Sequence, residues 1–197
     1  MESHKAQGFP LLTGVLCVLW KTENTAMNKD QRLLIIISGL PGTGKTSLAL
    51  ALAPQLAAVH LNTDMLREEL QKKGQYDPET KAMIYEELRT RAEAALIAGK
   101  SVVIDGTFYQ QEYRGPFLAM ADKYAVPLRW IELDADPSVI KKRVSHQRPY
   151  TEADFSVYQK IKKDYEPLTI QNLTLSSGEK SIDELMEKVL VYIASKD

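Results

Sequence analysis

The stretch from Gly39 to Thr46 reads Gly-Leu-Pro-Gly-Thr-Gly-Lys-Thr and decides the fold. It follows an apolar run at 33–38 and precedes an alanine- and leucine-rich run at 47–53 that favours a helix. A strand, a glycine-rich turn and a helix in this order form the context that a P-loop requires. The glycines allow a tight turn whose backbone N–H groups enclose a concavity suited to phosphate oxygens, and the helix N-terminus adds its positive dipole end. The pattern predicts a site for a nucleoside triphosphate.

Two side chains of this stretch have expected roles beyond the backbone. Lys45 can reach the β- and γ-phosphates, and the Thr46 hydroxyl can bind Mg²⁺. The alternative is a glycine-rich turn with a lysine placed by chance, which does not account for the match over the whole stretch in the right context. The predicted nucleotide-binding residues are Gly39, Leu40, Pro41, Gly42, Thr43, Gly44, Lys45, Thr46 and Ser47.

Composition limits the class of protein. The chain of 197 residues is long enough for one domain with a substantial core, and 44% hydrophobic with 26% charged residues is ordinary for a soluble globular protein. The formal net charge of −1 provides no bulk attraction to nucleic acid or to a membrane. Because Cys17 is the one cysteine, an internal disulfide and a cysteine-based zinc site are excluded. We expect a cytoplasmic protein without a membrane partner.

Residues 1–26 differ from the rest of the chain, and we treat them as an N-terminal appendage of uncertain order. The apolar run at 9–20 is shorter than the about 20 residues that span a bilayer. A signal peptide is an alternative, but the segment at 21–24 is a poor cleavage site. A third interpretation is that Met27 is the start, directly before the first strand. The predicted P-loop domain covers 27–197.

Short apolar runs alternate with longer helical patterns along this domain, which indicates parallel strands joined by crossover helices. We therefore predict an α/β, three-layer P-loop NTPase fold with a five-stranded, mainly parallel sheet. The strands are expected near 33–38, 57–61, 101–105, 127–133 and 169–175. The polar segment after the fourth strand predicts a mobile helical lid at about 145–154.

A carboxylate closes the third predicted strand. Ligands of an open parallel sheet bind at the C-terminal ends of its strands, so polar residues that follow apolar runs are candidates. Asp105 ends such a run, Thr107 follows it, and the carboxylate can hold Mg²⁺ beside Thr46. The alternative is an aspartate that caps the next turn.

Asp64 and Arg67 lie three positions apart, on one face of a helix that begins at the end of the second predicted strand. A carboxylate at this place can accept the proton of an attacking hydroxyl, and a guanidinium can hold the acceptor or the moving phosphoryl group. The alternative is an N-cap aspartate that forms an ion pair with the arginine. The two interpretations overlap, because a capping aspartate can still face the site.

The densest positive cluster of the chain flanks the predicted lid and contains Lys141, Lys142, Arg143 and Arg148. Transfer of a γ-phosphoryl group leaves charge on its oxygens, which mobile arginines can neutralise when a lid closes. Arg143 and Arg148 are predicted for this catalytic role. The two lysines are interpreted as a solvated helix face.

Taken together, these residues resemble the AAA_33-type P-loop kinases, a group of predicted ATP-dependent kinases. That group is similar to the kinase domain of phage polynucleotide kinase, to zeta toxins and to chloramphenicol phosphotransferase. The resemblance covers about 33–166. Besides the P-loop, it rests on Asn-Thr-Asp-Met-Leu-Arg at 62–67, Val-Val-Ile-Asp-Gly-Thr-Phe at 102–108 and Arg-Pro-Tyr-Thr-Glu-Ala-Asp-Phe at 148–155, with Tyr158 and 165–167.

The resemblance implies Mg²⁺-dependent transfer of the γ-phosphoryl group of ATP to a hydroxyl. It implies that Asp64 is the general base and that Arg67 contacts the acceptor or the transferred phosphate. Asp105 then either binds the metal or orients Arg67. Thr107 and Arg114, the latter matching a recurrent arginine of the group, are placed on the substrate side. The lid arginines of the group correspond to Arg143 and Arg148.

A small molecule is the favoured acceptor. A nucleic-acid 5′-hydroxyl would be served by a basic channel with aromatic side chains for stacking, and a net charge of −1 with 8% aromatic residues gives it little support. The hypothesis from another class is an ATP-binding regulatory or switch protein without an acceptor. The presence of both Asp64 and Arg67 argues against that hypothesis.

Overall fold

The computed structural model describes residues 32–145, 155–178 and 180–195. Five strands lie in this part of the chain: β1 (Leu34–Ser38), β2 (Val59–Asn62), β3 (Val102–Asp105), β4 (Leu128–Asp134) and β5 (Leu173–Ser176). Seven helices lie in the same ranges: α1 (Lys45–Gln55), α2 (Thr63–Glu69), α3 (Pro78–Ile97), α4 (Gln111–Tyr124), α5 (Pro137–Val144), α6 (Phe155–Lys163) and α7 (Ile182–Ala194). The elements follow the predicted alternation.

The strands of the described chain form one sheet in the order β2-β3-β1-β4-β5, and every neighbouring pair is parallel. The α/β class and the five-stranded sheet are therefore confirmed. The register places Ile37 of β1 beside Asp105 of β3, and Asp105 beside Asn62 of β2. The C-terminal ends of these three strands thus meet at one edge of the sheet, which is where ligands of such sheets bind.

Helices cover both faces of the sheet and give the molecule three layers. The side chains of β1 alternate between the faces: Leu34 and Ile36 pack into the core formed with α3 and α4, while Ile35 and Ile37 pack into the core formed with α1 and α7. All four are fully buried, as expected for a central parallel strand. The loop that follows β1 is therefore held on a rigid support.

Two predicted segments lie outside the described residues. These are the N-terminal appendage at 1–26 and, apart from Ser145, the lid at about 145–154, which includes Arg148. In the ranges that are described, no helix has both the length and the apolar character required to cross a membrane.

Candidate active site

The loop between β1 and α1 takes the conformation that the glycine-rich stretch predicts. Gly44 is the N-cap of α1 with φ 93°, a left-handed conformation that glycine adopts without strain, and no side chain caps this helix in the described chain. Gly42 is also left-handed, and a Cβ at this position would lie 2.9 Å from Cγ1 of Val144. The loop and the first turn of α1 line a cleft, so the positive end of the helix dipole faces that cleft.

Two side chains converge on the Leu40 carbonyl and close the loop on itself. The buried Thr43 hydroxyl donates to this carbonyl at 2.9 Å, and the Lys45 ammonium donates to it at 3.0 Å. Lys45 also lines the cleft. The lysine that the sequence assigns to the phosphates is thus positioned by its own loop at the cleft wall.

Asp105 is fully buried and lies at the centre of a hydrogen-bond network. Its Oδ2 accepts from the Thr46 hydroxyl at 2.7 Å and from the Asn62 amide at 2.6 Å. Its Oδ1 lies 2.5 Å from Nε2 of His60. His60, Asn62 and Asp105 share one face of the sheet, because side chains alternate along β2 and the register pairs Asn62 with Asp105. The described contacts of Asp105 are made with this network, and Arg67 is not among them.

Asn62 is also the last residue of β2 and the residue directly before α2. Its side-chain oxygen accepts hydrogen bonds from the backbone N–H groups of Asp64 and Met65, at 2.8 and 2.7 Å. The N-cap of α2 is therefore Asn62, and the alternative in which Asp64 caps the helix is excluded. The Asp64 carboxylate instead accepts a hydrogen bond from Arg67 at 3.4 Å. The predicted pair is formed, and both residues line the cleft.

The cleft has a volume of about 570 Å³ and joins the P-loop to these side chains. Of the residues assigned from sequence, it is lined by Pro41, Gly42, Thr43, Gly44, Lys45, Thr46, Ser47, Asp64, Arg67, Asp105, Thr107 and Arg143. Gly39 and Leu40 lie at the base of the loop outside this lining. Arg114 also lies outside it.

The residues at the P-loop fit a magnesium ion. Mg²⁺ prefers oxygen ligands and is commonly bound through one or two carboxylates together with substrate phosphates and water. The Thr46 hydroxyl and the Asp105 carboxylate are adjacent oxygen donors at the cleft wall. In the described ranges no group of three or more His, Cys, Asp or Glu side chains forms a metal cluster. The donor set suits an ion carried by a nucleotide rather than one enclosed by protein alone.

Arg143 joins the P-loop to the loop between β5 and α7. Its guanidinium donates to the Ser177 hydroxyl and carbonyl at 2.9 and 2.8 Å and to the Gly178 carbonyl at 2.9 Å. It also reaches the Gly42 carbonyl at 3.4 Å, and the Ser177 hydroxyl in turn donates to the Thr43 carbonyl at 2.6 Å. In this arrangement Arg143 lines the cleft, but its donors are directed at protein oxygens.

Arg114 is almost fully buried and contacts backbone carbonyls. It donates to Phe108 at 2.6 Å, to Glu166 at 2.5 Å and to Pro167 at 3.0 Å. These bonds attach the segment after α6 to the loop between β3 and α4. That loop carries Thr107 into the cleft. The contacts of Arg114 are those of a residue that fixes a loop.

Sequence reasoning missed several side chains of the site. His60 was assigned only to a strand, and its contact with Asp105 follows from strand order. Tyr76, Lys81 and Tyr109 line the cleft beyond Arg67, and the Lys81 ammonium donates to the Tyr109 hydroxyl at 3.0 Å. The local signal for Lys81, a lysine in a mixed-charge helix, does not distinguish it from surface lysines.

Tyr85 also lines the cleft, and its hydroxyl accepts a hydrogen bond from the Phe108 N–H at 3.0 Å. Burial raises the pKa of Tyr85 well above its usual range. The phenol is therefore neutral at physiological pH and does not supply an anionic base.

The parallel sheet and the P-loop define a P-loop NTPase fold. A family model described as "AAA domain", AAA_33, matches residues 34–168. The chain belongs to this family.

Two relatives match about two fifths of the chain. A UPF0200 protein of Aeropyrum pernix is 36% identical over 91 residues, and an uncharacterized protein of Mycobacterium tuberculosis is 30% identical over 93 residues. Each match covers 41% of this chain, 49% of the Aeropyrum protein and 19% of the Mycobacterium protein. The chain thus spans less than half the length of either relative.

Solved structures share the fold over most of the chain. An APS kinase of Mycobacterium tuberculosis, in complex with AMPPNP and APS, has a TM-score of 0.65 at 18% identity and covers 84% of this chain and 99% of its own. A gluconokinase of Sinorhizobium meliloti has a TM-score of 0.65 at 17% identity, covering 85% and 93%. Kti12 of Chaetomium thermophilum, in complex with ADP-AlF3, has a TM-score of 0.61 at 17% identity, covering 82% and 100%. At these identities the likeness is one of fold.

Proposed function

We propose that the protein is a kinase that transfers the γ-phosphoryl group of ATP to a hydroxyl of a small-molecule acceptor, with Mg²⁺ as cofactor. The observation that carries the proposal is that the Asp64–Arg67 pair lines the same cleft as the P-loop. A phosphate-binding loop alone serves hydrolysis, switching or transfer equally well. A carboxylate and a guanidinium in the same cleft add the groups that transfer to a hydroxyl requires.

The P-loop binds the nucleotide in this proposal. Its backbone amides and Lys45 hold the phosphates, while Thr46 and Asp105 supply oxygen ligands to Mg²⁺, which neutralises phosphate charge. The APS kinase and Kti12 structures support the choice of nucleotide, because the former was determined with AMPPNP and the latter with ADP-AlF3. We assign metal binding rather than orientation of Arg67 to Asp105, since its carboxylate bonds to Thr46.

Asp64 is the proposed general base. It accepts the proton of the acceptor hydroxyl as the acceptor oxygen forms a bond to the γ-phosphorus. The bond between the γ-phosphorus and the bridging oxygen breaks, and its electron pair leaves on ADP. Arg67 stabilises the charge on the transferred group, because a guanidinium presents several donors to phosphate oxygens. The proton on Asp64 passes to water after the product leaves.

Arg143 and Arg148 have different roles in the proposal. The contacts of Arg143 with protein carbonyls make it an anchor of the P-loop, and through that loop it positions the nucleotide. Arg148 keeps its predicted role as a lid arginine that neutralises the transferred group, and it belongs to the part of the chain that the structure does not describe.

The test is an ATP-consumption screen over metabolites, antibiotics and oligonucleotides that bear hydroxyl groups. Asp64→Asn should lower acceptor-dependent turnover by about 100-fold or more, since general base catalysis typically contributes that much. Its affinity for ATP should stay close to that of the wild type. Asp122→Asn, the same change at an exposed position of α4, is the matched control. Unchanged turnover in Asp64→Asn would remove the base assignment.

The two alternative functions are separate outcomes of this screen. Preference for an oligonucleotide 5′-hydroxyl would indicate a polynucleotide kinase. Nucleotide binding without stimulation by any acceptor would indicate a regulatory or switch protein, and a search for ATP-dependent partner binding would then follow.

A further inference from the structure

We propose that the acceptor carries an anionic group, and that Lys81 and Arg67 bind this group at one end of the cleft. The acceptor end is the part of the cleft lined by Asp64, Arg67, Tyr76, Lys81 and Tyr109. The inference rests on the proposed function for the existence of a hydroxyl acceptor, and it adds the chemical class of that acceptor. The shared chemistry is that of an oxyanion, and the experiment below separates phosphate from sulfate and carboxylate.

Lys81 brings a second positive charge to the acceptor end, beside that of Arg67. Its ammonium donates to the hydroxyl of Tyr109 at 3.0 Å and lies 5.1 Å from the centre of that ring. Among residues 32–145, 155–178 and 180–195, no ion pair joins Lys81 to a carboxylate. The described partner of this ammonium is thus a hydroxyl and not a carboxylate, which leaves its charge available to a group that enters the cleft.

Arg67 is more deeply buried than Lys81, with 6% of its surface exposed. The nitrogen that approaches Asp64 is 3.4 Å from the carboxylate oxygen, a long distance for a charge-assisted hydrogen bond. The buried Nε has no hydrogen-bond partner in the described chain. Because a buried charge is costly unless it is well paired, this arginine has unused capacity for an oxyanion.

The other charged side chains of the cleft interact with neighbours of their own, and among them Lys180 lies near enough to Glu184 to attract its carboxylate. Lys45 donates to the Leu40 carbonyl, and Arg143 donates to carbonyls near Ser177. Asp105 contacts Thr46, His60 and Asn62 at the proposed magnesium position. Among the described residues, the acceptor end therefore contains two cations, Arg67 and Lys81, and one carboxylate, that of Asp64, which is an excess of one positive charge. A hydroxyl acceptor without an anionic group would leave this excess uncompensated.

Two aromatic rings give the acceptor end an apolar surface beside its charges. The guanidinium of Arg67 lies 4.9 Å from the centre of the Tyr76 ring, and the ammonium of Lys81 lies 5.1 Å from the centre of the Tyr109 ring. Tyr76 is 39% exposed and stands at the rim of the cleft. The site therefore suits a small organic molecule with an apolar body, one anionic group and one hydroxyl within reach of Asp64.

The first experiment measures anion binding without any acceptor. Inorganic phosphate is titrated calorimetrically into protein saturated with ADP and Mg²⁺, so that the P-loop is occupied, at constant ionic strength. Lys81→Gln should weaken phosphate binding about tenfold, as expected when a hydrogen bond to a charged group is lost. Lys100→Gln, the same charge change at an exposed position, should leave it unchanged. Equal affinity in the wild type and Lys81→Gln would overturn the inference.

The second experiment compares acceptors in pairs that share a ring and a free hydroxyl and differ by one phosphate, such as a nucleoside and its 5′-monophosphate. The phosphorylated member should have a kcat/KM at least about tenfold higher, and Lys81→Gln should remove the difference through KM rather than kcat. Equal use of the neutral member would contradict the inference and leave the kinase proposal intact. If neither member of any pair is phosphorylated, the proposed function fails, and the phosphate isotherms alone decide the anion site. Sulfate and acetate in the same titration identify the preferred oxyanion.

Discussion

The Thr46 hydroxyl donates a 2.7 Å hydrogen bond to the Asp105 carboxylate, although the two residues are 59 positions apart. The bond is formed because β1, which leads into the P-loop, pairs directly with β3, which ends at Asp105. His60 and Asn62 hold the same carboxylate from the neighbouring strand β2. The relationship places the two proposed magnesium ligands side by side before any nucleotide arrives.

Removal of the Thr46 hydroxyl should uncouple nucleotide affinity from magnesium. Thr46→Val deletes the proposed metal ligand but leaves the P-loop backbone in place, so ATP affinity without Mg²⁺ should change little. The strengthening of ATP binding by Mg²⁺ should decrease by at least about tenfold, because an interaction with a charged group is typically worth about 1.5–3 kcal/mol and about 1.4 kcal/mol is a factor of ten. Fluorescence titration of a nucleotide analogue with and without Mg²⁺ measures this. Thr46→Ser, which keeps the hydroxyl, is the matched control, and an equal loss in both variants would contradict the metal assignment.

Replacement of Arg143 should weaken ATP binding more than it slows transfer. Arg143→Gln removes donors to the Ser177 and Gly178 carbonyls, which releases the P-loop from the loop before α7. We expect KM for ATP to rise about tenfold with kcat within about threefold, since loss of hydrogen bonds to a charged group costs about 1.5–3 kcal/mol. Lys142→Gln on the same helix is the control. A large loss of kcat at unchanged KM would instead support the transition-state role predicted from sequence.

Arg114→Lys should destabilise the fold without affecting ATP binding. The lysine keeps the charge but cannot reach the three carbonyls of Phe108, Glu166 and Pro167 that the guanidinium joins. Because each buried acceptor left unsatisfied costs about 1–3 kcal/mol, we expect a loss of roughly 3 kcal/mol or more in the free energy of unfolding. Urea denaturation measures the loss. A variant of normal stability with a raised KM for the acceptor would show that Arg114 contacts substrate, as the family resemblance implied.

The ion pair of Glu93 on α3 with Lys123 on α4 should make the free energy of unfolding vary with pH in the acidic range. Hydrogen bonds from Lys123 and Tyr124 lower the pKa of Glu93 to about 2. A carboxyl whose pKa is depressed on folding stabilises the protein above its unfolded pKa, and that contribution is lost as pH falls through the folded value. The difference in unfolding free energy between the wild type and Glu93→Gln should therefore be constant above about pH 5, near the ordinary carboxyl range, and should decrease towards pH 2.

The control for this prediction is Glu187→Gln, at an exposed position on α7. Its difference from the wild type should not vary with pH in the same window. A Glu93→Gln difference that stays constant down to pH 2 would show that the Lys123 and Tyr124 contacts do not lower the pKa of Glu93.

The amino-acid sequence by itself determined the features that form between residues close together in the chain. The P-loop, its strand and its helix follow from spacing and glycine content over one short stretch. The Asp64–Arg67 pair follows from helical periodicity, because residues three apart lie on one face. The alternation of apolar runs with helical patterns was sufficient to predict the class and the parallel sheet.

Tertiary structure alone decided which side chains meet across strands and loops. Strand order puts β3 beside β1 and β2 beside β3, and this brings His60 to Asp105, a contact that no spacing in the chain encodes. Arg143 was predicted as a catalytic arginine and Arg114 as a residue on the substrate side, yet the fold presents backbone carbonyls to both guanidiniums. An arginine binds any oxygen acceptor that packing brings within reach, so its role is set by the neighbours that the fold supplies. Lys81 could not be assigned to the site from sequence for the same reason, because its neighbour in the cleft, Tyr109, lies 28 positions away in the chain.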